Sequence, residues 1–125
     1  DKIYEFPVFV KADKERIEQV LINLIVNSVK YGKINGITTL GIESYTENKF
    51  IIKVVDNGEG IKQEHIPRLF ERFYRVDQSR SREQGGSGLG LSIVKHIIEA
   101  HNETILLKST FSEGSEFSFT LKKAK

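Results

Sequence analysis

Apolar residues recur with two different periods along this chain, and the switches between them outline its elements. From Asp13 to about Tyr31, Ile17, Val20, Leu21, Leu24 and Ile25 recur at helical spacing and predict a long helix with Asp13 as N-cap. Ile22, Val26 and Val29 make a second apolar face, and a narrow polar stripe of Gln19, Asn23, Asn27 and Lys30 lies between the two. Gly32 ends this helix as a C′ glycine. A second helix is predicted over about residues 89–101, where Leu91, Val94, Ile97, Ile98 and His101 share the helical period. A short helix around residues 63–73 carries Leu69, Phe70 and Phe73.

The remaining apolar stretches read as strands. Residues 3–10 are β-prone, with Pro7 marking an edge strand or a break. Residues 37–45 and 50–56 predict an antiparallel hairpin around Thr46-Glu47-Asn48-Lys49. Its second arm, Phe50 to Val55, is almost continuously apolar and predicts a central strand buried on both faces. Residues 104–109 and 116–121 predict two last strands joined through Ser112-Glu113-Gly114-Ser115, with His101-Asn102 as the turn before them. In the last strand Phe117, Phe119 and Leu121 face the core and Glu116, Ser118 and Thr120 the more polar side.

Three stretches carry candidate chemistry. Asn23 and Asn27 stand one turn apart on a helix face where solvated Glu and Lys are the norm. Either neighbouring backbone satisfies a buried pair, or their amide oxygens serve a ligand or a hard cation. Asp56-Asn57-Gly58-Glu59-Gly60-Ile61 puts an acid at the end of a buried strand, before two glycines. It reads as a tight turn or as a site where a ligand approaches the backbone. Gln84-Gly85-Gly86-Ser87-Gly88-Leu89-Gly90-Leu91-Ser92 runs into a helix N-terminus, as a linker or as a phosphate cradle. Between the last two, Arg75 to Gln84 lacks a periodic apolar face and reads as a lid.

Composition narrows the field. With 125 residues the chain is long enough for one domain with one core. A formal net charge of +2 and the absence of a dense basic stripe argue against a nucleic-acid partner. There is no Cys, which excludes disulfides and thiolate metal sites, and no run of apolar residues long enough for a membrane helix. The chain begins at Asp1 without an initiator Met, and a fragment of a longer protein is expected.

Taken in order, these stretches resemble the four boxes of the catalytic, ATP-binding domain of sensor histidine kinases. Asn23 to Tyr31 is similar to the N box, Asp56 to Gly60 to the first glycine box, Leu69 to Tyr74 to the F box and Gly86 to Leu91 to the second glycine box. The resemblance implies a Bergerat fold: an α/β (α+β) two-layer sandwich, its mixed, mainly antiparallel sheet of about five strands covered on one face by about three helices, with an ATP lid. It implies one catalytic domain over residues 1–125, with ATP and Mg²⁺ as cofactors.

It further implies roles residue by residue. Asp56 receives the adenine amino group, and Gly58, Gly60 and Ile61 line the base. Asn27 is the metal ligand, and Asn23 supports metal or phosphates. Lys30 and Tyr31 lie near phosphates and ribose, and Gly86, Ser87, Gly88, Leu89, Gly90 and Leu91 form the phosphate loop. Phe70 is a packing residue beside the nucleotide, tethering the lid, and Arg75 and Arg80 are lid cations at the γ-phosphate. Asn23, Lys30 and Arg75 are the expected catalytic residues.

The implied partners are a dimerisation hairpin bearing the phosphoacceptor His and, indirectly, a response regulator. The isolated domain is expected to be a monomer, and the parent a homodimer with this domain on the cytoplasmic side of a bacterial membrane. His65, His96 and His101 lack the hairpin context and are expected to be structural or solvated. Asn23 stands where hydrolysing relatives carry a Glu base and cannot take a proton from water. A histidine kinase domain is therefore favoured over a nucleotide-binding module without transfer activity, a hydrolysing ATPase or a serine kinase.

Overall fold

The computed structural model describes residues 9–30, 36–72 and 90–124. In chain order these form β1 (Val10–Lys11), α1 (Lys14–Lys30), β2 (Thr38–Thr46), β3 (Lys49–Asp56), a 3-10 helix (Gln63–Arg68), α2 (Gly90–Ala100), β4 (Ile105–Thr110) and β5 (Gly114–Lys123). The expected strand over residues 3–8, Gly32 at the end of α1, and the lid and phosphate loop up to Leu89 lie outside the described residues.

Five strands form one sheet, and every described pairing is antiparallel. β3 lies between β2 and β5, joined to β2 by the predicted hairpin. The other edge of β5 is shared, by β4 over residues 114–119 and by β1 at Lys122 and Lys123.

Both α-helices pack on one side of this sheet. Ile17, Val20 and Leu24 of α1 and Val94, Ile97 and Ile98 of α2 are buried against Ile52 and Val54 of β3 and Phe117, Phe119 and Leu121 of β5. The strand residues alternate as a pleated strand requires, with Ile52 opposite Phe119 and Val54 opposite Phe117. Asp13 caps α1 as predicted: its carboxylate accepts the Arg16 N–H at 3.2 Å and its carbonyl the Ile17 N–H at 2.9 Å. His101 ties this cap to the end of α2, with Nε2 accepting the Asp13 N–H at 3.0 Å and Nδ1 donating to the Ile97 carbonyl at 2.8 Å. Both bonds together require a neutral ring with its proton on Nδ1, so His101 is structural. Asn102 follows at φ 58°, the left-handed turn predicted there.

Three expectations change. No described element packs over the second apolar face of α1: Ile22, Val26 and Val29 are 58%, 45% and 69% exposed. Ile25, about 80° around the helix from Ile17, is also outside the core at 36%. The buried stripe continues instead to Ser28.

Second, β3 is not buried on both faces throughout. Ile51 is buried on the outer face, but its neighbours there, Lys49 and Lys53, form ion pairs with Glu103 (2.8 Å) and Glu43 (2.9 Å). An antiparallel sheet covered by helices on one side leaves its other side to polar groups. Third, the short helix is a 3-10 helix over Gln63–Arg68, and Pro67 inside it has no N–H for the Gln63 carbonyl that an α-helix starting there would need. Leu69 then enters the core, and Phe70 packs edge-on against Phe117, ring centroids 6.2 Å apart.

Glu103, in the turn before β4, is the buried acid of the outer face. It accepts hydrogen bonds from Lys49 Nζ and Thr120 Oγ1, each at 2.8 Å. Burial alone would push its carboxyl up, but these bonds outweigh that and hold it below the usual carboxylate range. Among the described residues no helix is long and apolar enough to cross a membrane.

Candidate functional site

The helix-facing side of the sheet turns polar at one end. Past the last core pairs, the next cross-strand partners are Thr38 of β2, Asp56 of β3, Ser115 of β5 and Ser109 of β4. Because alternate residues share a face, this row continues the parity of Val54, Phe117 and Leu107. α1 closes over it: Ser28 Oγ, 4% exposed, lies 2.8 Å from Thr38 Oγ1.

Asp56 is half-buried in this row. Its Oδ1 accepts the Gly58 N–H at 2.9 Å, a local turn, and Oδ2 takes no hydrogen bond from a described residue. Asn57 extends the β2–β3 ladder one step, its Oδ1 accepting the Ile37 N–H at 2.8 Å and its N–H donating to the Ile37 carbonyl at 3.3 Å. The loop is then clasped from outside by the β4–β5 turn. The Ser112 N–H donates to the Glu59 carbonyl at 2.6 Å, and the Ile61 N–H to Ser109 Oγ at 2.8 Å.

Two glycines make that clasp possible. Gly60 adopts φ 71°, and a Cβ there would overlap the Thr110 carbonyl. Gly114 adopts φ 137°, and a Cβ there would overlap the Asp56 carbonyl. Gly60 was expected to be a glycine for the sake of a ligand; its own chain already demands one.

The asparagine pair on α1 divides. Both side chains are half-buried. Asn23 Nδ2 donates to the carbonyl of Gly90 at 3.4 Å, which brings the N-box helix beside the first residue of α2. Asn27 makes no hydrogen bond to a described residue, so the described backbone accounts for Asn23 in part and for Asn27 not at all. The first turn of α2 has no acidic residue, and its N–H groups point at the end of the helix where anions are favoured. Ile61, Phe70 and Leu91 are half-buried and pack against the core.

The Lys30 side chain and Tyr31, Arg75, Arg80, Gly86, Ser87, Gly88 and Leu89 lie outside the described residues. Among the described residues no group of three or more His, Cys, Asp or Glu could hold a metal ion. Asn27 offers one amide oxygen, which suits an ion such as Mg²⁺ that keeps waters and arrives with phosphate oxygens, not one caged by protein.

Nothing in the residue pattern marks Ser28, Thr38, Ser109, Ser115 or Gly114 as site residues, since short hydroxyl residues at strand ends are commonplace. Strand parity was the available signal: Ser109 and Ser115 fall on the same faces as Leu107 and Phe117.

Known proteins share this sequence pattern and fold. The family model "Histidine kinase-, DNA gyrase B-, and HSP90-like ATPase" matches residues 12–125. The sensor histidine kinase WalK of Bacillus subtilis is 40% identical over 115 residues, which cover 91% of this chain and 19% of WalK. The catalytic domain of the histidine kinase ThkA superposes with a TM-score of 0.76 at 33% identity, covering 91% of this chain and 70% of that one. Full-length ShkA, solved in complex with AMPPNP, gives 0.78 at 28% identity over 94% of this chain and 24% of its own. The antiparallel α/β sandwich therefore has its place: the chain belongs to the histidine kinase-, DNA gyrase B- and HSP90-like ATPases, as the catalytic ATP-binding domain of a sensor histidine kinase.

Proposed function

We propose that this chain, acting as a single catalytic domain, binds Mg-ATP and donates the γ-phosphoryl group to a histidine on a separate dimerisation hairpin. The observation that carries the reading is the half-buried Asp56 carboxylate, with one oxygen unclaimed by any described residue at the end of the polar row. A lone acceptor there suits the amino group of adenine. The AMPPNP bound by ShkA supports the same reading.

Asn27 would hold Mg²⁺ together with phosphate oxygens, and the ion would neutralise charge on the β- and γ-phosphates. Asn23, Lys30 and Tyr31 line the path from base to phosphates. Backbone N–H groups of Gly86, Gly88 and Gly90 receive phosphate oxygens, and Arg75 and Arg80 balance charge at the γ-phosphate. Transfer needs an in-line nucleophile. The incoming imidazole nitrogen forms the new P–N bond as the bond to the ADP oxygen breaks. Asn23 cannot deprotonate water, which keeps hydrolysis slow. In the cell the domain would face the cytoplasm within a membrane-bound homodimeric sensor that passes the phosphoryl group on to a response regulator.

The test mixes the chain with a separately prepared hairpin and γ-labelled ATP. Acid-labile, base-stable label on the hairpin's histidine is expected, with slow turnover by the chain alone. Rapid hydrolysis without the hairpin, or label on Ser or Thr, would overturn the reading.

A further inference from the structure

Ser109 joins three segments around the Asp56 loop. Its Oγ accepts the Ile61 N–H at 2.8 Å, donates to the Gly114 carbonyl at 3.0 Å and lies 2.8 Å from Ser115 Oγ. Its carbonyl takes the Gln63 side-chain amide at 3.2 Å. A serine hydroxyl has one proton and two lone pairs. The Gly114 carbonyl can only accept, so the Ser109 proton goes there. The Ser115 hydroxyl then donates to Ser109, filling the second lone pair beside the one used by Ile61. Ser115 is 8% exposed and is the cross-strand partner of Asp56. With its proton committed, it has only acceptor capacity left.

We propose that Ser109 is a positioning residue for base selection. It pins the Gly58–Ile61 loop to the β4–β5 turn and, by taking the Ser115 proton, makes the Asp56–Ser115 pair a surface of acceptors alone. Such a surface favours a base edge carrying an amino group and repels a keto oxygen, because a buried acceptor facing an acceptor leaves both unpaired. The selectivity half rests on Asp56 receiving the base, as proposed above; the pinning half does not.

The experiment compares the unmodified chain with Ser109→Ala and Ser109→Thr by calorimetry with ATP and GTP and by amide hydrogen exchange without nucleotide. In Ser109→Ala the Ile61 amide is expected to exchange about tenfold or more faster, with the amides of α2 unchanged. ATP affinity should fall about tenfold, the loss of roughly one net hydrogen bond, while GTP affinity holds or rises. Ser109→Thr, which keeps the hydroxyl, should restore both readouts.

Unchanged Ile61 exchange, or an equal loss of protection across α2, overturns the pinning role. An equal loss of ATP and GTP affinity overturns the role in selection. An unmodified chain that binds neither nucleotide overturns the reading of Asp56 and the selectivity half with it, and Ile61 exchange still decides the pinning.

Discussion

The two ends of the β3–β5 ladder each hold a carboxylate, and among the described residues only one of the two has a cation for a partner. At the Lys49 end, the Glu103 side chain is 2% exposed, and its Oε1 accepts from both the Lys49 ammonium and the Thr120 hydroxyl, each at 2.8 Å. At the Asp56 end, one carboxylate oxygen takes the Gly58 N–H and the other takes nothing from a described residue, while Asn27 on α1 is equally without a described partner. A buried carboxylate whose charge is balanced by a cation of its own fold gains little from a ligand and contributes to stability. One that is half-buried and has no described cation beside it stays partly hydrated and ready, because its charge and its second oxygen can still be used by a ligand. An ion partner within the fold, more than polarity itself, separates scaffold from site.

The largest effect that sharpens this contrast is at the ion-paired end. Glu103→Ala should lower stability by about 2–3 kcal/mol, below the full cost of breaking a buried pair because Lys49 is 34% exposed. Urea unfolding measures it, and the nucleotide affinity of the folded protein should not change. The same carboxylate sets an acid limb. Its folded pKa is depressed, so its stabilisation is present above the unfolded value near 4.5 and is lost as pH falls toward the folded one. Unfolding midpoints of the unmodified chain should therefore fall more steeply below that pH than those of Glu103→Gln.

At the other end the pattern should reverse. Asp56→Asn should weaken ATP binding by about 1–3 kcal/mol yet shift stability by less than about 0.5 kcal/mol, since an amide oxygen can still accept the Gly58 N–H. A melting temperature that drops as far as the affinity would erase the distinction between the two ends. The smallest effect has the opposite sign. Asn27→Ala should raise stability by up to about 0.5 kcal/mol through helix propensity, while the Mg²⁺ dependence of ATP binding disappears. Destabilisation instead would mean that Asn27 belongs with the groups that hold the fold together.

Much of this contrast was legible in the residues. Asp13 as a cap, the β2–β3 hairpin, Asp56 at a strand end and the asparagine pair all follow from local rules of period, capping and turn chemistry. What was not legible depends on neighbours far along the chain. Ser109 and Ser115 acquire meaning only from a register that sets them beside Asp56. Ile22, Val26 and Val29 look like core by hydropathy, yet no described element packs over them. Pro67 argued in advance against an α-helix beginning at Gln63, but the aromatic residues after it suggested a longer helix.

The register of the central ladder also bears on how fast the site can form. Lys49 to Asp56 pair with Lys122 to Ser115, so every rung of that ladder closes a long loop, whereas β2–β3 and β4–β5 are local hairpins. Local hairpins form in microseconds, and non-local ladders wait on the entropy of loop closure. Asp56 arrives on one hairpin and Ser109 and Ser115 on the other. Nucleotide competence should therefore appear with the slowest phase of refolding, and a chain emerging from synthesis stays unable to meet its ligand until β5 has docked.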